Sequence, residues 1–136
     1  MATPLDSPPH PAAAAPRLQV LVVDDERPNL STFRRAFRAA MDVTVAEGPR
    51  QALVLLESQR FDVAFVDYRM PVMNGLDLMR EMQRVAPAMR RILLTGYPGL
   101  SDAEDACRNG LCERIMAKPW RKAELLAYLT ESQPHG

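Results

Sequence analysis

The chain has 136 residues, 47% of them hydrophobic, a size and composition that fit one domain with a substantial core. Lys and Arg number 17 and Asp and Glu number 17, so net charge gives no argument for a nucleic-acid or acidic partner. Cys107 and Cys112 have no histidine near them in sequence, which points to reduced thiols rather than a zinc site or a disulfide framework. No apolar run approaches the ~20 residues of a membrane helix. The N-terminus lacks the basic start and apolar stretch of a signal peptide. The expectation is a cytoplasmic protein with no membrane contact and no direct nucleic-acid binding.

Residues 1–16 hold Pro4, Pro8, Pro9, Pro11 and Pro16 around the run Ala12 to Ala15. Proline fixes φ and removes donors, and little large apolar surface is present, so this stretch reads as a disordered or extended leader. The domain is expected over 17–132, with 133–136 as a tail. Leu18 to Val23 is an apolar run, interrupted only by Gln19, that ends in two aspartates and suits a central parallel strand. Leu30, Phe33, Phe37 and Ala40 then recur at helical spacing, with Pro28 near the start. Met41 to Ala46 reads as a second strand, and Pro49 opens a helix bearing Ala52, Leu53, Leu55 and Leu56. Phe61 to Val66 predicts a third strand, ending at Asp67.

The stretch from Met70 to Gly75 is a turn signal, with Gly75 free to take positive φ. It leads into a helix with Leu76, Leu78, Met79 and Met82. The methionines, Met70, Met73 and Met89 among them, read as core fillers. Arg91 to Leu94 is a fourth strand ending at Thr95. Ser101-Asp102-Ala103-Glu104 has the form of a capping box opening a fourth helix. Arg114 to Ala117 is a short fifth strand ending at Lys118, and a last helix carries Leu125, Leu126 and Leu129. Strict strand–helix alternation implies a doubly wound parallel sheet with helices on both faces.

Sites in such sheets lie beyond the carboxyl ends of the strands. Those ends supply Asp24 and Asp25, then Asp67, Thr95 and Lys118. Like charges at about 4 Å repel by roughly 4 kcal/mol per pair at an effective dielectric near 20. A lysine offsets one carboxylate, and an all-oxygen donor set for the rest favours Mg²⁺ or Mn²⁺. Acidic residues, a hydroxyl, a lysine and such a metal suit phosphoryl transfer, with a carboxylate as nucleophile. The two histidines, His10 and His135, are terminal. Without a histidine to activate water, the chemistry should be slow and self-limited rather than that of a fast hydrolase.

Leu21 to Glu26, Asp67 to Gly75, Leu94-Thr95-Gly96 and Lys118-Pro119-Trp120 together resemble the response-regulator receiver family of two-component signalling. The resemblance spans about residues 18–131. It implies a flavodoxin-like (βα)5 fold with strand order 2-1-3-4-5. It implies that Asp67 is the phosphoacceptor, charged by a histidine kinase or a histidine phosphotransfer protein. Thr95 and Lys118 would contact the phosphoryl oxygens. Asp25, Asp67 and the backbone carbonyl of Arg69 would bind Mg²⁺ or Mn²⁺ directly, and Asp24 through water. The chain would be a signalling phosphoacceptor that assists its own metal-dependent phosphorylation and dephosphorylation, not a turnover enzyme. Its output would be a switched surface read by a downstream protein that the sequence does not name. The resemblance also implies a cis Lys118-Pro119 bond. It places Arg69 and Tyr97 along the route of the hydrolytic water. Arg27, Arg34, Arg35 and Arg38 read either as a solvated face or as a docking surface on the first helix.

One departure stands out. Ile115 occupies a position where many members carry Tyr or Phe, so the expected conformational change shifts to the loop from Gly96 to Leu100 and the start of the fourth helix. Two other functions compete. A receiver-like scaffold independent of phosphorylation is favoured by Ile115 and opposed by the intact acidic set. A related Mg²⁺-dependent phosphohydrolase would need Asp-x-Asp after the first strand, where Asp25-Glu26-Arg27 stands. The chain reads as either a stand-alone receiver or a piece of a longer protein.

Overall fold

The computed structural model describes residues 17–131. The expected leader at 1–16 and tail at 133–136 lie outside the described residues. Within them, β1 (Gln19–Val23), β2 (Asp42–Ala46), β3 (Val63–Asp67), β4 (Arg90–Thr95) and β5 (Arg114–Ala117) form one parallel sheet in the order 2-1-3-4-5. Helices α1 (Arg27–Phe37), α2 (Pro49–Ser58), α3 (Gly75–Val85), α4 (Ser101–Arg108) and α5 (Lys122–Glu131) alternate with the strands. This is the flavodoxin-like (βα)5 arrangement expected from the sequence.

Each strand side chain faces the helix layer on its own side, because successive residues alternate. Leu21, Val23, Ala64, Val66 and Leu93 pack against α2, α3 and α4, where Ala52, Leu78, Met79, Met82 and Ala103 close the core. Val20, Val22, Phe65, Ile92 and Leu94 face α1 and α5, meeting Phe33, Phe37, Leu125 and Leu129. Phe33, Phe37, Phe65 and Trp120 form an aromatic cluster with ring centroids 4.7–5.4 Å apart. Met70, Met79, Met82 and Met89 are buried in the first core, as expected of gap-filling methionines.

Three local expectations need correction. The third strand begins at Val63, not Phe61. Asp62 still pairs through its backbone, its N–H donating to the Gln19 carbonyl at 2.8 Å and its carbonyl accepting from Arg90 at 3.0 Å, while its Oδ2 takes the Gln19 N–H at 2.7 Å, so the regular ladder starts one residue later. The apparent capping box at Ser101 is absent. Leu100 is the N-cap, without a side-chain cap, and its carbonyl accepts the Glu104 N–H at 3.0 Å. Packing of Leu100 against the first core sets the helix start one residue early, and Asp102 and Glu104 complement the helix dipole instead. Finally, positive φ falls on Val72 (71°), not on Gly75. Gly75 is required for another reason. A Cβ there would sit 2.5 Å from the Asp67 carbonyl oxygen, so only glycine lets α3 start this close to the end of β3. Asn74 caps α3 by accepting the Asp77 N–H at 2.9 Å. Elsewhere strand ends differ from expectation by a residue or two.

Candidate phosphoryl-transfer site

Sheet register assembles the site. Val23 pairs with Val66, so Asp24 emerges level with Asp67. Asp67 pairs with Leu94, which places Thr95 one step beyond, and Thr95 pairs with Ala117, which places Lys118 one step beyond again. The connections are pinned by backbone bonds: Asp24 N–H to Ala46, Tyr68 N–H to Leu94, and Lys118 N–H to Thr95. The Lys118-Pro119 peptide is cis, as the resemblance implied.

Asp24, Asp25 and Asp67 each bring a carboxylate oxygen to within 4.8 Å of the others. Asp24 and Asp67 are buried, at 5% and 6% exposure, while Asp25 faces solvent. The Lys118 Nζ donates to Asp67 Oδ1 at 2.8 Å and to Asp24 Oδ2 at 3.4 Å. Asp24 Oδ1 also accepts the Glu26 N–H at 3.0 Å. The Thr95 hydroxyl accepts the Tyr97 N–H at 3.0 Å and keeps its own proton to donate. All the sequence-predicted side chains thus line one open cavity of ≈ 690 Å³.

Electrostatics follow from this crowding. Burial raises the Asp67 carboxyl above the usual value, and the Asp24 and Asp25 charges push the same way, against the hydrogen bond from Lys118. For Lys118, burial alone would favour the neutral amine. The Asp67 and Asp24 carboxylates outweigh it and hold the ammonium above its ordinary value. One lysine faces three carboxylates, so negative charge is in excess. That excess, and an all-oxygen donor set, fit a hard divalent cation such as Mg²⁺ or Mn²⁺.

Two features were missed or only half seen in the sequence. Asn29, in the first turn of α1, places its Nδ2 3.1 Å from Asp24 Oδ2 and 3.2 Å from Glu26 Oε1. The only signal for it was an asparagine five residues after Asp24, which reads as an ordinary polar residue at a helix start. Arg69 and Tyr97 were expected to flank the site separately. They are in contact, with the guanidinium 5.2 Å from the ring centroid. Ile115 is partly buried beside the core under α4, next to Leu93 in register.

The model of the response regulator receiver domain family matches residues 20–130. The alginate biosynthesis transcriptional regulatory protein AlgB of Pseudomonas putida is 35% identical over 99 residues, covering 72% of this chain and 22% of that protein. The transcriptional regulatory protein ZraR of Escherichia coli K12 is 29% identical over 119 residues, 87% of this chain and 27% of ZraR. The chain therefore spans about a quarter of the length of these relatives. Among solved structures, the signal receiver domain of an HD domain-containing protein from Pseudomonas fluorescens Pf-5 superposes with a TM-score of 0.78 at 31% identity, covering 85% of this chain and 94% of that one. With fold, motif order and family match in agreement, the chain belongs to the response-regulator receiver family.

Proposed function

We propose that Asp67 accepts a phosphoryl group from the phosphohistidine of a histidine kinase or a histidine phosphotransfer protein, and that the aspartyl phosphate changes a surface read by a downstream protein. The observation that carries this reading is the buried Asp67 carboxylate, bonded at 2.8 Å to Lys118 and facing two further carboxylates. In the transfer, an Asp67 carboxylate oxygen bonds to phosphorus as the nitrogen–phosphorus bond of the donor breaks and the imidazole leaves with the electron pair. Lys118 meets the charge on the phosphoryl oxygens, and the Thr95 hydroxyl donates to one of them. Asp25, Asp67 and the Arg69 carbonyl would hold Mg²⁺ or Mn²⁺ directly. Asp24, whose two oxygens already accept from Glu26, Asn29 and Lys118, would act through water. When bound, the metal supplies charge neutralisation for the transferring phosphoryl group. Among the described residues no helix is long and apolar enough to cross a membrane. The relatives are transcriptional regulators of which the matched stretch is a fraction, which supports a receiver that passes its state to another unit.

Incubation with acetyl phosphate and Mg²⁺, followed by intact-protein mass spectrometry and a phosphate-release assay, separates the readings. A singly phosphorylated protein with slow phosphate release is expected. No adduct at any Mg²⁺ concentration would favour a phosphorylation-independent scaffold, and rapid multiple-turnover release a hydrolase.

A further inference from the structure

The β1–α1 connection does more than deliver Asp24. The Asp24 carboxylate is nearly buried, yet both its oxygens are claimed by neighbours in the connection and the first turn of α1. Oδ1 takes the Glu26 N–H and Oδ2 takes the Asn29 amide at 3.1 Å, closer than Lys118 at 3.4 Å. The same Asn29 nitrogen lies 3.2 Å from the Glu26 carboxylate. A side-chain amide has two donor hydrogens on that nitrogen, so Asn29 bridges two carboxylates that would otherwise repel. Asn29 does not cap α1: the N-cap is Glu26, with no side-chain cap bond. Its amide is therefore spent on the acidic cluster.

The geometry points to Asn29 as a positioning residue that fixes the Asp24 carboxylate for metal binding and keeps Lys118 on Asp67. This inference rests on the reading of the acidic cluster as a divalent-cation site. Asn29 and Lys118 compete for the same carboxylate oxygen. Lys118 is the other side chain donating to Asp24 Oδ2, and it also serves Asp67. With Asn29 removed, a buried carboxylate short of a donor draws the ammonium toward itself, and Asp24 loses the bond that sets its rotamer. Partners that orient metal-ligating groups typically carry a tenfold to hundredfold effect on metal affinity.

Isothermal titration with Mg²⁺ tests this directly, using the wild-type chain, Asn29→Ala and the near-isosteric Asn29→Leu. Two variants guard against a folding defect, which melting in chelator would register separately. Both variants are expected to bind Mg²⁺ about tenfold more weakly. Their rate of adduct formation from acetyl phosphate should fall at limiting Mg²⁺ and return to near the wild-type rate at saturation. A merely structural role would shift melting but not produce this split. Unchanged Mg²⁺ affinity in a folded variant, or a rate defect that persists at saturation, would overturn the role of Asn29. Absence of Mg²⁺ binding by the wild-type chain would overturn the metal reading itself, and the positioning role with it.

Discussion

Asp67 is held at an energetic disadvantage. Burial, Asp24 and Asp25 raise its carboxyl above the ordinary value of 3.8, and Lys118 corrects this only in part. A folded-state value above the unfolded one means that the folded chain binds the proton more tightly. The stability contribution is full below about pH 3.8 and is lost as pH rises through the higher folded value. At neutral pH the ionised form is therefore the one the fold tolerates less well. Asp67→Asn, melted in chelator, should be more stable than wild type at pH 7, with the difference shrinking toward acid. A variant less stable at pH 7 would show that the Lys118 pairing outweighs burial. Val72 is a second residue under strain. It is β-branched, fully exposed and held at φ 71°, a region that disfavours residues with a Cβ. With no packing to lose, Val72→Asn should stabilise the domain by about 1 kcal/mol, measurable by urea denaturation. Such strain beside a site is commonly retained for function, and the substitution should leave adduct formation intact only if Val72 touches no phosphodonor.

At the level of elements, the β3–α3 and β4–α4 loops meet over the site. Arg69 from the first loop stacks on Tyr97 from the second, and Tyr97 is 59% exposed. Both line the cavity that holds Asp67, so they should slow the water that attacks the aspartyl phosphate. The Arg69→Ala, Tyr97→Ala double variant is expected to dephosphorylate about tenfold faster, equivalent to ~1.4 kcal/mol of barrier. Loss of phosphate followed after removal of the donor checks this, and unchanged or slower decay would contradict it. Ile115 packs partly buried against the core and has no polar tip to favour exposure. That leaves the loop bearing Tyr97 as the segment best placed to move. The sequence placed both residues along one route, but their stacking depends on loop conformation and rotamers that residue spacing does not specify. By contrast, the strand ends were legible, since a buried parallel strand must stop where its apolar run meets a charge. The errors arose where side chains intervened: the Asp62 carboxylate taking the Gln19 N–H just before β3, and Leu100 displacing the apparent cap at Ser101.

For the whole molecule, one topological fact organises function. With strand order 2-1-3-4-5, β1 and β3 are adjacent at the centre, and their ends bring Asp24, Asp25 and Asp67 together. The next strands outward add Thr95 and then Lys118. The sequence made this convergence readable because alternation dictated a parallel sheet and every polar group stood at a strand end. Asn29 stayed hidden because it belongs to a helix turn and acts through Asp24. On the proposed reading, this convergence makes Asp67 a metal-dependent phosphoacceptor. The most direct measurement is tandem mass spectrometry of the chain after acetyl phosphate treatment, with Mg²⁺ or with chelator, for wild type and Asp67→Asn. One phosphoryl group is expected, located on Asp67, present with Mg²⁺ and absent both in chelator and in the variant. A phosphoryl group on another residue, or full labelling of Asp67→Asn, would contradict it.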